Sequence, residues 1–538
     1  MRNAYAVSDV RAAERALMAR VPDGALMQRA AAGLASVCAR LLGHVYGSRV
    51  VVLAGTGDNG GDALFAGARL AGRGAIVTAV PAGRGLHEAG AAALRGSGGR
   101  LADMAGQAAG EAIAAADLII DGILGIGGRG GLREPAATLA ALTARAADAG
   151  ALVIATDLPS GVDADTGVVA GAAIRADVTV TFGTIKPGLL IDPGATYAGT
   201  VELVDIGLRP YLTAPPATAA LQAADVAAVL PRPGAESDKY RRGVLGVLAG
   251  SQRYTGAAVL SVGGAIRGGA GMVRLVSARA AADVVRQHWP EAIITVVDPD
   301  EPGGPPEPAG SGPVHGGATG SPSAAGEAAI EAGGRVQAWA AGPGLGTGDH
   351  AAAMLAGVLA SPLPVLIDAD GLTVLSRNKD LLAGRDGAAT VITPHAGELA
   401  RLLNEAHDEI EAHRLDSARR AAAELGVTVL LKGSTTVIAT PDADDPALVN
   451  PTGTPWLATA GSGDVLSGLA GALLAQGVLP ARSAAAAAAF VHGLAGRLAA
   501  SDAPIGAADV LAAIPEAIRR VSDGEPWPCL RECRHGFR

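Results

Sequence analysis

Aromatic residues make up only 3% of the 538-residue chain, so its cores must be packed from Val, Leu, Ile and Ala rather than around large rings. Cysteine is almost absent. Three residues, Cys38, Cys529 and Cys533, exclude a disulfide framework and offer no CxxC pair for zinc. Positive charge is also short: 43 Lys and Arg against 52 Asp and Glu leave a net −9. That excludes a general binder of nucleic acid or anionic membrane, because such partners need basic patches. A phosphate-bearing ligand must instead be held by backbone N–H groups and a few placed cations. No run reaches the roughly 20 strongly apolar residues of a membrane span. Met1–Ala16 carries charges throughout and lacks the apolar centre of a signal peptide. The expectation is a soluble, cytoplasmic protein with no nucleic-acid or membrane partner.

What is present is length and regularity. The chain is too long for one ordinary core, and its composition, 49% hydrophobic, supplies material for two. Unbroken apolar runs at Arg49–Leu53, Ala75–Val80, Leu118–Asp121, Leu152–Thr156 and Val178–Phe182 alternate with Ala-rich stretches. Such runs suit parallel strands covered on both faces, and the spacing leaves room for a helix between neighbours. A doubly wound, three-layer α/β/α domain of Rossmann-like type is predicted over residues 1–214, led by an amphipathic helix capped by Ser8 or Asp9. Pro215-Pro216 and Pro231-Arg-Pro233 mark the boundary. A second α/β pattern over 215–524 has strands expected at Val244–Ala249, Met272–Val276, Val336–Ala340, Val365–Asp368, Val391–Thr393 and Thr428–Leu431. Residues 299–334, rich in Pro, Gly, Ser and Ala, read as a flexible insertion. Residues 525–538, with Cys529 and Cys533, read as a dispensable tail.

In the first domain the strand Arg49–Leu53 runs into Gly55-Thr-Gly57-Asp58-Asn59-Gly60-Gly61-Asp62. Gly55, Gly57 and Gly60 satisfy G-x-G-x-x-G, but the next strand ends without the acidic residue that would hold a ribose, so a simple dinucleotide fingerprint is weak. The polar Asp58–Asp62 core exceeds the needs of a plain turn. Other strand ends supply Asp121-Gly-Ile-Leu-Gly125-Ile126-Gly127-Gly128-Arg129-Gly130-Gly131, Asp157-Leu-Pro-Ser160 and Thr181-Phe-Gly-Thr-Ile-Lys186. Ligands of open α/β sheets bind outside the carboxyl ends of the strands, where all four loops converge.

These motifs, with the stretch Ala25–Gly33, resemble the YjeF N-terminal family of NAD(P)H-hydrate epimerases over nearly all of residues 5–210. Asp58 stands where that family usually has Asn, and Ala63 where it usually has Gly. The resemblance implies that Asp58, Asn59, Gly60, Gly61, Asp62 and Gly125 through Gly131 contact the hydrated cofactor. It further implies that Asn59, Asp121 and Ser160 hold a potassium ion; oxygen-rich ligands suit a hard cation. Asp157 would also bind the substrate and serve as the acid/base group, with Lys186 assisting. One positioned carboxylate suffices for epimerisation through reversible loss of a hydroxyl.

In the second half, Ala458-Thr-Ala-Gly-Ser-Gly463-Asp464 enters an apolar helix expected at Val465–Leu474. A helix N-terminus behind a glycine turn makes an anion hole, and Asp464 sits at its mouth. Upstream lie Ala341-Gly-Pro-Gly344-Leu-Gly346, Thr393-Pro-His395-Ala-Gly-Glu398 and Lys432-Gly433-Ser434-Thr435-Thr436. The absence of a Walker A motif excludes a P-loop NTPase. With Lys239–Ser251, these motifs resemble the YjeF C-terminal family, ribokinase-like nucleotide-dependent NAD(P)H-hydrate dehydratases, over roughly 225–522; Ala396 replaces the usual Pro. The resemblance implies Ala258, Gly344, His395 and Asp464 at the hydrated cofactor. It places Lys432 through Thr436 and Gly463 at ADP or ATP with Mg2+, and Asp464 as base. Trp456 could form a wall of that pocket.

The expected function is therefore repair of NAD(P)HX, the hydrated form of NAD(P)H, by a homo-oligomer. Two alternatives stay open: a small-molecule kinase in the second half, and a non-catalytic nucleotide-binding module in the first.

Overall fold

The computed structural model describes residues 1–103, 106–297, 324–385 and 387–524. The strands, in chain order, are β1 Arg2–Ala4, β2 Arg49–Ala54, β3 Ile76–Pro81, β4 Arg100–Leu101, β5 Leu118–Gly122, β6 Leu152–Thr156, β7 Val178–Phe182, β8 Thr200–Val204 and β9 Thr218–Ala220. They continue with β10 Val244–Leu248, β11 Met272–Ser277, β12 Ile293–Val296, β13 Ala338–Ala341, β14 Val365–Ile367, β15 Thr390–Ile392, β16 Thr428–Leu431, β17 Thr436–Ala439 and β18 Ala447–Asn450. One compact unit comprises Met1–Ala220 with the short segment Glu411–Asp416; the other begins at Leu221 and holds the remaining described residues.

The first unit carries a seven-stranded sheet in the order β4-β3-β2-β5-β6-β7-β8, every ladder parallel. Its apolar strands serve two cores because successive side chains point to opposite faces. Val50 and Val52 join helices Val7–Met18, Ala25–Leu42 and Asp58–Ala71 in one cluster. Val51 and Leu53 join Gln107–Ala114 and Ala136–Asp148 in the other. β1 and β9 form a short antiparallel pair. The first helix starts at Val7 behind Ala6, not at Ser8 or Asp9, and neither of those caps it. The Val7 N–H donates to Asp165 Oδ1 at 2.7 Å, so a residue distant in sequence replaces the local cap.

In the second unit the order is β18-β17-β16-β15-β14-β13-β10-β11-β12, parallel from β16 to β12 and antiparallel through β17 and β18. Helix Ser462–Ala475 lies across its centre, where Gly471 meets Leu245 and Ala340. The insertion expected over 299–334 must be shortened. Ala324–Gly333 is a helix with Ala329 and Gly326 packed inward, because its alanines favour helix and its small residues admit Gly357 at close range. Residues 298–323 and the tail 525–538 lie outside the described residues. Among the described residues no helix is long and apolar enough to cross a membrane.

Candidate active sites

Both candidate sites form where the strands of a parallel sheet end. In the first unit Asp58–Asp62 is not a loop but the first turn of helix Asp58–Ala71, entered through Gly57. A Cβ on Gly60 would stand 2.2 Å from the Gly55 carbonyl oxygen, so that glycine is needed for the chain to fold back on itself. Asp157, at the end of β6, has φ 63, a conformation that favours Gly, Asn and Asp. Its Oδ1 accepts from Thr181 Oγ1 at 3.0 Å, the Phe182 N–H at 3.2 Å and Lys186 Nζ at 2.5 Å. Lys186, 1% exposed, also donates to Thr181 Oγ1 and the Phe182 carbonyl.

A cavity of about 290 Å³ opens among Glu14, Asp58 and Asp62 on its polar side and Met18, Met27, Phe182 and Ile206 on its apolar side. Burial raises the Asp62 carboxyl well above the ordinary range; Asp157, Asp58 and Glu14 add to this and Lys186 opposes it. Asp62 Oδ1 is buried without a hydrogen-bond partner among the described residues. Burial raises Glu14 as well, with Lys186 opposing and Asp157 and Asp58 adding. Beside this cluster, fully buried Asp121 accepts from Ser160 Oγ at 2.6 Å, the Ser160 N–H at 2.7 Å and the Ile123 N–H at 3.2 Å. Burial still pushes it up to about 6, and among the described residues no basic group figures in its surroundings.

In the second unit helix Ser462–Ala475 begins behind Gly461, which has φ 88, so Gly463 and Asp464 occupy its first turn rather than the loop before it. Asp368, at the end of β14, receives Ser467 Oγ at 2.5 Å and Lys432 Nζ at 2.8 Å. Lys432 also lies 3.7 Å from Glu398. Burial disfavours the Lys432 cation, yet Asp368 and Glu398 outweigh burial and hold its pKa above the ordinary value. Burial first, and then the Asp368 carboxylate, push Asp464 up to about 7 against the pull of Lys432. Ala369, between Asp368 and Asp370, has φ 51 and ψ −119, a strained backbone for a residue with a Cβ. Asp370 accepts from the Gly346 N–H at 2.9 Å and so ties the glycine loop to the same strand end.

Residues 23–188 match the family model of the YjeF-related protein N-terminus, and residues 245–518 match that of NAD(P)H-hydrate dehydratase. The bifunctional NAD(P)H-hydrate repair enzyme Nnr of Mycobacterium leprae is 47% identical over 508 residues, which cover 93% of this chain and 95% of that protein. That of Moorella thermoacetica is 34% identical over 520 residues, 94% of each. The chain belongs to the bifunctional NAD(P)H-hydrate repair enzymes. Among solved structures, the ADP/ATP-dependent NAD(P)H-hydrate dehydratase of Bacillus subtilis, co-crystallised with ATP/Mg2+, is 27% identical. It covers 56% of this chain and 97% of its own, with a TM-score of 0.47.

Within this repair-enzyme framework the sequence motifs fall into place unevenly. Asp157 and Lys186 touch directly, as do Asp121 and Ser160. Asn59 lies against Gly125. Gly127, Arg129 and Gly130 are exposed, while Ile126 packs on the core. Ala63 is accommodated because its neighbour is Gly122, where a Cβ would stand 2.4 Å from the Ala63 methyl. Ala258 is wholly buried in helix Thr255–Arg267, with its methyl against Gly250. His395 is the N-cap of helix Ala396–Leu403; Nδ1 accepts from the Gly397 and Glu398 N–H groups. Gly344 packs its φ 60 backbone on Tyr254 and Ala257. Gly433 and Ser434 are exposed, Thr435 is half-buried, and Thr436 is buried at the start of β17. Trp456 is 40% exposed. Sequence reasoning missed Glu14, Thr181, Asp368, Asp370 and Glu398. Thr181, Asp368 and Glu398 stood inside quoted motifs or strands, whereas no local pattern marks Glu14.

Proposed function

We propose that the chain repairs hydrated NADH and NADPH in two steps, each run by one carboxylate beside one lysine. The carrying observation is that pairing, Asp157 with Lys186 in the first unit and Asp464 near Lys432 in the second, each at the carboxyl end of a parallel sheet. In the first unit the nicotinamide ring would rest on the apolar wall of the cavity, with Asp58–Asp62 and Gly125–Gly131 around its polar parts. Asp157 has one oxygen fully engaged with Lys186; the other relays a proton to the departing C6 hydroxyl. The ring nitrogen lone pair covers the vacated carbon, and water adds to the opposite face, returning a proton to Asp157. Burial favours the neutral forms of Asp62 and Glu14 in the cavity. Asn59, Asp121 and Ser160 fit a potassium ion, since Asp121 is a buried carboxylate with no basic neighbour among the described residues. A bound potassium ion would supply fixed positive charge there.

In the second unit Asp464 accepts the proton of the C6 hydroxyl, and that oxygen attacks the terminal phosphoryl group of ADP or ATP, breaking its bridging P–O bond and releasing AMP or ADP. A base poised near neutrality suits this task. Lys432–Thr436 and Gly463 face the nucleotide, and free helix N–H groups meet the charge that spreads over the phosphoryl oxygens. Magnesium arriving on the nucleotide would neutralise phosphate charge, and such an ion needs few protein ligands. Phosphate then leaves C6, the ring nitrogen supplies the electron pair, and loss of the C5 proton restores NAD(P)H.

The test is the return of reduced-nicotinamide absorbance when the purified chain receives mixed epimers, magnesium, potassium and either nucleotide. Recovery from both epimers is expected. A stable phosphorylated product with no absorbance would overturn this reading in favour of a small-molecule kinase.

A further inference from the structure

His492 lies in helix Ala481–Ala500, downstream of a run of six alanines, Ala484–Ala489, and is buried under the first turn of the glycine-turn helix. Its Nε2 stands 2.9 Å from the Ser462 carbonyl oxygen. A carbonyl can only accept, so Nε2 carries the proton and Nδ1 the lone pair. Burial pushes its pKa down to about 4, so the ring is neutral at working pH.

The peptide bond converts this contact into control of an anion site. A trans peptide is planar, with its C=O and N–H pointing in opposite directions. Fixing the Ser462 oxygen toward His492 therefore fixes the Gly463 N–H away from it, out of the open end of the helix. The Val465 N–H is taken by the Gly461 carbonyl, and the Ser462 N–H lies 3.4 Å from Thr459 O. Among the described residues no hydrogen bond is recorded for the Gly463 or Asp464 N–H, the two amides nearest the carboxylate proposed as base. Gly461 has φ 88, and glycine at 461 and 463 leaves this peptide free to rock. The Ser462 hydroxyl is already spent on Leu457 O at 2.7 Å, so it cannot steady its own carbonyl.

We propose that His492 is a positioning residue for phosphoryl transfer: its Nε2–H clamps the Ser462–Gly463 peptide so that the Gly463 N–H aims at the transferring phosphoryl group. The proposal rests on the dehydratase reading of the second unit. The side chain need never touch substrate. A neutral donor suits the position, because it fixes the peptide without the cost of burying a charge.

The test compares His492→Leu, which keeps bulk and removes the donor, with His492→Gln, whose amide can reach the same oxygen. Both are assayed as full chains with ADP and, separately, ATP, each with magnesium and S-NADHX. The Leu variant should lose about tenfold in kcat, about 1.4 kcal/mol, while its KM for S-NADHX stays within about twofold. The Gln variant should recover to within about threefold of the parent, and epimerase activity should not move. A merely structural role would lower thermal stability in both variants without separating their kcat values, and that result would overturn the proposal, as would a Leu variant with parental kcat. Should the Leu variant fail to fold, His492→Met gives the same donor-free comparison. Failure of the underlying reading would look different: the parent itself would show no nucleotide-dependent recovery of NADH.

Discussion

A buried charge has to be judged by its partners. Lys186 spends all three protons on Asp157, Thr181 and Phe182 inside the protein. Lys186→Met should abolish epimerisation and destabilise the first unit by about 3 kcal/mol, because it strands the Asp157 carboxylate. Denaturant unfolding checks this; a loss below about 1 kcal/mol would show that the pair is dispensable to the fold. Asp464 makes a different bargain with pH. Its pKa is raised from 3.8 to about 7, so the fold favours its protonated form. That contribution is complete below 3.8 and is lost as pH rises toward about 7, the window in which the base becomes available. Dehydratase kcat should climb with pH to a plateau just above 7. Asp464→Asn should cut the plateau value about a thousandfold, remove the climb with pH and leave epimerisation intact. His492 has the opposite sign: its pKa is lowered from 6.5 to about 4. The stability it supports is present above 6.5 and is lost as pH falls through about 4, on the order of 3 kcal/mol in all. Acid unfolding of the parent against His492→Gln would measure it.

Between elements, backbone contact governs the second site. Helices Thr255–Arg267 and Ser462–Ala475 touch through glycines: a Cβ on Gly468 would stand 1.9 Å from the Ser261 carbonyl oxygen, and one on Gly264 would stand 2.3 Å from that of Val465. No flexible side chain lies there to give way. Gly468→Ala should cost about 3 kcal/mol and reduce dehydratase turnover together with stability, because the displaced helix carries both Asp464 and the free amides. Thermal unfolding alongside the assay checks this, and a variant as stable as the parent would show that the helices can part without cost. The apolar runs behind these elements were legible in the sequence, and every strand expected from one is present. The missed strands, β1, β4, β8, β9, β12, β17 and β18, are all antiparallel or at a sheet edge, outside the parallel, doubly covered pattern that was sought; Leu203 of β8 is 49% exposed and Ile293 of β12 42%.

Across the whole molecule, two chemistries sit in two different sheets. Asp157→Asn should recover NADH from a mixed sample only to the share of the S epimer, while Asp464→Asn recovers none. Mixing the two variants should restore recovery of both epimers, since the epimer released by one chain can be dehydrated by the other. Failure of the mixture, with each variant behaving singly as expected, would mean that substrate passes within one chain.

The sequence by itself determined that there are two α/β domains, where most of their strands run, and which strand-end loops bear the carboxylates and glycines. Apolar periodicity and turn chemistry are local properties, legible over about ten residues. Tertiary structure alone decided which of those residues act on one another. It tied Lys186 to Asp157 and Lys432 to Asp368, and buried Ala258 against Gly250. It also brought Glu14 from the first helix and His492 from near the end of the chain to the two sites. Burial and proximity between distant segments set proton affinities and hydrogen-bond partners, and neither is encoded in local spacing.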